Sequence, residues 1–224
     1  MKNFNIEKRP CKNFGSRGIH KPIMWCLHTA DGFYEGTIQT FLKGDLSAHF
    51  VIGKDGEIAQ LVDIDKMAYT QGITAEQSKK SKSKIVREKG INPNLYCLSV
   101  EFEGFYNDFK RSNGEVVKGN KGKITDRQVD AFVWLFKSLN NKYNISVDRD
   151  HIIGHYEINH WGRPCCPGEL FPFDQIISKL KEDSDPLPKK IYKVQVGAFS
   201  DKANAEGLSK ELTSKGYGNF VVEC

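Results

Sequence analysis

Two histidines and a cysteine stand where this chain could build metal chemistry. His155 follows the short apolar run Ile152-Ile153-Gly154, and Cys166 comes soon after in Pro164-Cys165-Cys166-Pro167-Gly168. His28 closes a second apolar run far upstream, Ile23-Met24-Trp25-Cys26-Leu27. Two imidazoles and one thiolate suit zinc. Three protein ligands also leave the fourth tetrahedral position open, as a catalytic zinc requires. Taken singly, each residue has a plainer reading as a strand-end histidine or a buried thiol. The chemistry therefore depends on His28, His155 and Cys166 meeting in space. Cys165 is the adjacent competitor. Cys166 is preferred because it directly precedes Pro167-Gly168, which sets a turn and orients its side chain.

Glu101 is the candidate for proton transfer. It sits in Tyr96-Cys97-Leu98-Ser99-Val100-Glu101-Phe102, a run that otherwise reads as core. Alternate strand residues share a face, so Glu101 and Glu103 point the same way. If that face lines the cleft, one carboxylate can accept a proton from water. The plainer reading of Glu103 is an exposed carboxylate at a strand edge.

These residues need a frame. Residues 23–29 read as a buried strand, and 34–43 as a short helix with Ile38, Phe41 and Leu42 on one face. Residues 48–53 and 58–62 form a hairpin about Lys54-Asp55-Gly56-Glu57, Asp-Gly being a strong turn signal. The polar stretch 70–94 reads as a long loop with one helical turn, and 114–122 as a Gly/Lys/Asn loop. Thr125 and Gln128 form a capping box. Behind it, Val129, Phe132, Val133, Phe136, Leu139 and Tyr143 recur at helical spacing. Residues 151–154 are a last strand delivering His155, and 173–180 a closing helix.

The chain has 224 residues, 39% of them apolar with 14 Phe and 3 Trp, enough for one full domain and a smaller piece. Its formal charge of +5 suits an anionic partner such as a nucleic acid or a cell-wall polymer. No dense Lys/Arg block interleaved with aromatics occurs, which argues against nucleic acid. The one basic cluster, Lys79 to Lys84, reads as a solvated face. Cys26 and Cys97 lie in apolar runs as small buried hydrophobes, and the six cysteines lack the spacing of a disulfide framework. The N-terminus has no apolar signal region and no stretch approaches a membrane span. The expectation is synthesis in a reducing cytosol, with thiols free to bind metal.

Four motifs together resemble the type 2 N-acetylmuramoyl-L-alanine amidases, which share the fold of the peptidoglycan recognition proteins. They are Trp25-Cys26-Leu27-His28-Thr29-Ala30, Ser47-Ala48-His49-Phe50-Val51-Ile52-Gly53-Lys54-Asp55-Gly56-Glu57, Ser99-Val100-Glu101-Phe102-Glu103-Gly104, and Gly154-His155 with Cys166-Pro167-Gly168. They fall in the family's order over about residues 20–180. The resemblance implies an α/β fold, a central mixed β-sheet flanked by helices. It implies Zn2+ at His28, His155 and Cys166, and Glu101 as the catalytic carboxylate. The reaction implied is hydrolysis of the amide between N-acetylmuramic acid and L-alanine in peptidoglycan. His49 and the pair Tyr69-Thr70, which stands where relatives often carry Trp-His, are expected at the substrate cleft. Ala48 replaces the tyrosine that some branches use in catalysis. Pro164 stands where relatives often carry Lys or Thr, two residues before the last ligand, so Arg163 or His160 is expected to supply the positive charge.

The tail resembles half of a SPOR domain, a family that binds peptidoglycan glycan strands. The stretch is Tyr192-Lys193-Val194-Gln195-Val196-Gly197-Ala198-Phe199-Ser200, followed by Ala203, Ala205, Leu208 and Leu212. The expected organisation is an amidase domain at 1–181, a linker at 182–190 and a small β-α-β unit at 191–224. So small a unit buries little core, and pairing of two copies into a homodimer would complete the module. The expected partner is peptidoglycan, with no nucleic acid and no membrane insertion. The resulting picture is a wall-lysing enzyme of the endolysin kind, made in the cytoplasm without a signal peptide and acting at the cell wall after release. The alternatives are a cytosolic amidase that recycles soluble anhydromuropeptides, and a non-catalytic peptidoglycan-binding protein.

Overall fold

The computed structural model describes residues 4–182, 196–219 and 221–222. By its internal contacts the chain divides into two units, Met1–Asp185 and Pro186–Cys224.

In the first unit, β1 (Ile6–Lys8) and β2 (Phe14–Ser16) precede β3 (Met24–Thr29) and α1 (Tyr34–Lys43). The hairpin strands β4 (Phe50–Ile52) and β5 (Ile58–Gln60) come next, then β6 (Lys66–Ala68), α2 (Ala75–Ser78) and α3 (Lys84–Lys89). The strand β7 (Cys97–Phe102) leads into the small hairpin β8 (Phe109–Lys110) and β9 (Val116–Val117). The long helix α4 (Asp126–Tyr143), β10 (Ile152–Gly154), α5 (His155–Ile158) and α6 (Phe173–Glu182) complete the unit.

Six strands form one sheet in the order β1-β5-β4-β7-β3-β10. Only β4 and β5 pair antiparallel; the other four pairings are parallel. The sheet is mixed, and its centre is buried on both sides. Along β3, Trp25 and Leu27 join one core cluster while Met24 and Cys26 join another. That period-two split puts successive side chains on opposite faces. One face packs on α4 and α6 through Val129, Phe132, Phe136, Ile176 and Leu180. The other packs on Ile38 and Phe41 of α1, Val86 of α3 and Ile158 of α5. Helices on both faces explain why the central strands read as continuous apolar runs.

Local signals explain the main elements. The Thr125 hydroxyl accepts from the Gln128 amide at 3.1 Å, and the Gln128 side chain accepts from the Thr125 amide at 3.0 Å. Such a cap stabilises a helix by about 1 kcal/mol. Gln128 Nε2 also donates to the carbonyls of Ile52 and Glu103, tying α4 to the ends of β4 and β7. At Gly56 φ is +87, as the Asp55-Gly56 turn requires.

Two sequence expectations need correction. Residues 70–94 are not one long loop: α2 and α3 form there, capped by Thr74 and Ser83, with a 3-10 turn at Pro93–Leu95. Most of the groups the segment buries are themselves polar, Gln71, Ser78, Ser81, Ser83 and Asn94 beside Ile73 and Val86, so its composition reads as polar. The stretch 114–122 contributes β9 rather than loop alone.

In the second unit α7 (Lys202–Ser214) is a helix capped by Asp201, with Ala205, Leu208 and Leu212 half-buried. The expected linker, apart from Glu182 at the end of α6, and most of the two expected tail strands lie outside the described residues. Val196, Gly197, Val221 and Val222 are described and are not strand. No helix among the described residues is long and apolar enough to cross a membrane.

Candidate metal centre and active site

The strands β7, β3 and β10 are neighbours and run parallel, so their C-terminal ends share one edge of the sheet. In open α/β sheets ligands gather outside that edge. His28 lies near the end of β3, directly opposite Glu101 on β7. His155 follows β10 immediately as the first residue of α5. The loop carrying Cys166 is pinned here by two bonds. The Thr29 hydroxyl donates to the Pro167 carbonyl at 2.5 Å, and the Tyr156 amide donates to the Cys166 carbonyl at 2.8 Å. Gly122 and Gly168 let this loop pack backbone to backbone on its neighbour. A Cβ at Gly122 would lie 2.3 Å from the Pro167 carbonyl oxygen, and φ there is +87.

The nitrogens Nδ1 of His28 and Nδ1 of His155 face each other at 3.1 Å, and Cys166 Sγ is 3.9 Å from His28 Nδ1. The ligand atoms of all three residues lie within 4.8 Å of one another. Nitrogens held about 2 Å from a tetrahedral zinc would be roughly 3.3 Å apart. The structure thus brings together His28, His155 and Cys166, while Cys165 is exposed.

The donor set fits such an ion. The Gln71 carbonyl, 3.0 Å from His155 Nε2, can only accept, so that nitrogen carries the proton and Nδ1 presents its lone pair to the cluster. Burial lowers the pKa of both imidazoles, His28 well below the usual range and His155 to about 4; neighbouring charges, including Arg163, add to the effect. Both rings are therefore neutral donors at neutral pH. Burial also pushes the Cys166 thiol far up, aided by Glu101. A cation supplies what this cluster lacks, since coordination deprotonates a thiol outright. His28 Nε2 is buried without a hydrogen-bond partner.

Glu101 is buried, with Oε1 3.8 Å from His28 Nδ1. Burial raises its carboxyl pKa to about 8, with Arg163 opposing and Asp31 assisting. A cation alongside pulls that value back toward neutrality. Glu103 differs. Its carboxylate accepts from the Lys54 amide at 2.9 Å and so serves the turn after β4.

A cleft of about 300 Å³ opens onto Cys166, lined by Thr29, Asp31, Tyr106, Asn107 and residues 162–167. Arg163 is on its wall. His160 is half-buried and packs edge-on against Trp161, 4.9 Å between ring centroids. Asp31 and Tyr106 were not apparent from sequence. Asp31 adopts φ +51 and accepts from the Tyr106 amide at 2.7 Å, so the two are fixed by each other.

His49 and Thr70, expected at the substrate cleft, are engaged by neighbouring groups in the structure. His49 is buried, and its ring nitrogens face Arg17 Nη2 at 2.6 Å, Ser99 Oγ at 2.9 Å and the Lys66 carbonyl at 3.1 Å. The Thr70 hydroxyl donates to the Ser47 carbonyl at 2.7 Å and lies 2.8 Å from Ser99 Oγ. Tyr69 is half-buried, its hydroxyl lying against Gly15. His49 and Thr70 both bond Ser99 and so brace the strand that carries Glu101.

His49 makes stability depend on pH. Burial, and then the Arg17 guanidinium, push its pKa down to about 3 from 6.5. The unfolded chain takes up a proton that the folded chain refuses. The folded state therefore has its full stability above the unfolded pKa and loses it as pH falls toward the folded one. Between about pH 6.5 and pH 5 the loss is on the order of 2 kcal/mol. Urea midpoints at pH 7 and pH 5 are expected to differ less in His49→Gln than in the wild type. An unchanged difference would rule out His49 as the source.

Comparison with known proteins follows the same lines. Residues 19–169 match the family model described as N-acetylmuramoyl-L-alanine amidase, and residues 188–223 match the SPOR domain model. A curated relative, 1,6-anhydro-N-acetylmuramyl-L-alanine amidase AmpD of Haemophilus influenzae, is 26% identical over 136 residues, covering 61% of this chain and 59% of its own. The chain thus spans about three fifths of that relative's length. Among solved structures, a selenomethionine AmpD derivative superposes with a TM-score of 0.55 at 20% identity, over 78% of this chain and 94% of the other. The amidase LysC from Clostridium intestinale gives 0.52 at 19% identity, over 80% and 99%. AmiD of E. coli, in complex with anhydro-N-acetylmuramic acid-L-Ala-D-gamma-Glu-L-Lys, gives 0.54 at 20% identity, over 74% and 58%. At these identities the structural likeness is one of fold: a mixed sheet flanked by helices.

Proposed function

The chain belongs to the N-acetylmuramoyl-L-alanine amidase family, and from that premise we propose that it is a zinc-dependent amidase that cuts the bond between N-acetylmuramic acid and L-alanine in peptidoglycan to lyse the wall. The observation that carries this reading is the convergence of His28, His155, Cys166 and Glu101 at the ends of three adjacent parallel strands.

His28, His155 and Cys166 would hold the ion. A zinc ion bound there would supply Lewis-acid polarisation of the scissile carbonyl and a lowered pKa for an attacking water. Glu101 takes the proton from the attacking water. The buried carboxyl, with its raised pKa, then returns that proton to the leaving amine of L-alanine. Arg163, on the cleft wall, offers a fixed positive charge to the oxyanion that develops on the substrate carbonyl. The bonds from Thr29 to the Pro167 carbonyl and from the Tyr156 amide to the Cys166 carbonyl hold the Cys166 loop, and the Gln71 carbonyl holds His155.

The match of residues 188–223 to the SPOR model supports a wall-bound polymer as substrate. Recycling of soluble fragments is the second reading, favoured by the likeness to an AmpD named for 1,6-anhydro-N-acetylmuramyl-L-alanine. The full chain, loaded with zinc, is to be incubated with intact sacculi and separately with soluble anhydromuropeptides, and the products read by mass spectrometry. Free stem peptides starting at L-alanine, released from sacculi, are the expected result. Cleavage confined to the soluble fragments would favour recycling. No cleavage at this bond in either substrate would end the amidase assignment.

A further inference from the structure

The hydrogen bond that orients His155 comes from a main-chain carbonyl in a segment without regular structure. Residues 69–71 belong to no helix or strand, yet Gln71 is buried, 1% exposed. A free loop would not hold one carbonyl 3.0 Å from an imidazole nitrogen, because fixing its backbone costs conformational entropy. Something must supply that order. On one side Ser47 and Ser99 hold Tyr69 and Thr70. On the other, Asn94 Oδ1 accepts from two successive amides, Thr70 at 3.2 Å and Gln71 at 3.0 Å.

We propose that Asn94 is a positioning residue for the metal centre, clamping the 70–71 peptide so that the Gln71 carbonyl fixes the tautomer and orientation of His155. This rests on the reading of His28, His155 and Cys166 as metal ligands. Asn94 does not touch that cluster and acts through Gln71. Its own place is secured from beneath. The buried Arg17 donates to the Asn94 and Leu95 carbonyls at 3.0 and 2.9 Å, and to the Cys97 carbonyl at 3.0 Å. Arg17 thereby links the Pro93–Leu95 turn to β7, the strand that carries Glu101. Asn94 is 8% exposed. Without its oxygen, the amides of Thr70 and Gln71 would lose their acceptor in a mostly buried setting, and the segment would shift to recover one.

The test is zinc affinity of the full chain, measured by competition with a chelating dye at a temperature where every variant is folded by circular dichroism. Asn94→Leu keeps the volume and removes the acceptor. It is expected to weaken zinc binding by about 10-fold, at the lower end of what loss of an outer-shell partner costs. Asn94→Asp keeps the acceptor oxygen and faces the same two amides, so it is expected to restore affinity to within about 3-fold of wild type. Val133→Ala, in α4, is a destabilised control that should leave zinc affinity unchanged. Should Asn94→Leu not fold, Asn94→Ser, whose hydroxyl is too short to span both amides, replaces it in the same assay. Wild-type affinity in the Leu or Ser variant would overturn the proposal while leaving the metal centre intact. If Cys166→Ser and His28→Ala also bind zinc like the wild type, the metal-centre reading fails, and the Asn94 proposal with it. A second readout on the wild type is the nitrogen-15 spectrum of His155. A proton on Nε2 is expected, and a proton on Nδ1 would contradict the clamp.

Discussion

Serine in place of Cys166 is expected to strip the protein of zinc and of nearly all activity. A hydroxyl stays protonated where a thiolate would bind, and it is a far poorer partner for zinc. The remaining imidazoles, with His28 Nδ1 and His155 Nδ1 3.1 Å apart, would hold the ion with only two ligands. The fall in affinity should exceed about 100-fold, the upper end of losses seen when only an outer-shell partner is removed. Cys165→Ser is expected to keep both metal and activity, because Cys165 is exposed and outside the cluster. Zinc content after dialysis, together with a chelator competition, reads both variants. Loss of zinc from Cys165→Ser, with retention in Cys166→Ser, would reverse the ligand assignment.

Glu101→Gln separates proton transfer from metal binding. The amide keeps the size of the side chain but cannot accept a proton from water. A loss of about 10²-fold or more in kcat is expected, with zinc bound at the wild-type level. Glu103→Gln is expected to be close to neutral for catalysis. Its carboxylate already serves the Lys54 amide, and the glutamine oxygen can accept the same hydrogen bond. The two carboxylates share a strand face by sequence parity, so the comparison tests position and not residue type. Steady-state kinetics with matched zinc loading would decide it. Equal losses at both positions would mean that the strand end is being disturbed as a whole and that Glu101 has no special part.

Features that depend on neighbours along the chain are legible in the amino-acid sequence alone. The capping box of Thr125 and Gln128, the Asp55-Gly56 turn and the apolar stripe of α4 each involve residues a few positions apart. The strands β3 and β7 are legible for another reason. Both of their faces are covered by helices, so each appears as an unbroken apolar run. The three-residue strands β1, β2 and β6 carry no such run. They exist because a partner strand offers hydrogen bonds, and pairing of that kind leaves no local pattern. In α3, only Val86 is fully buried among six residues, so the hydrophobic periodicity that marks a helix is missing.

For the site, residue types made His28, His155, Cys166 and Glu101 candidates for zinc chemistry, and the order of the motifs that carry them implied that they act together. Their meeting was decided by the sheet order β7-β3-β10, which places the ends of three parallel strands side by side although His28 and His155 are 127 positions apart. The tertiary structure also shows what His49 and Thr70 bond to, their polar atoms being taken up by Arg17, Ser99 and Ser47. It added Asp31, Tyr106 and the Gln71 carbonyl. A main-chain carbonyl is present at every position and carries no mark in the amino-acid alphabet. What made this one a partner of His155 is where Asn94 and Ser99 hold the chain, and that is set by packing between segments remote in sequence.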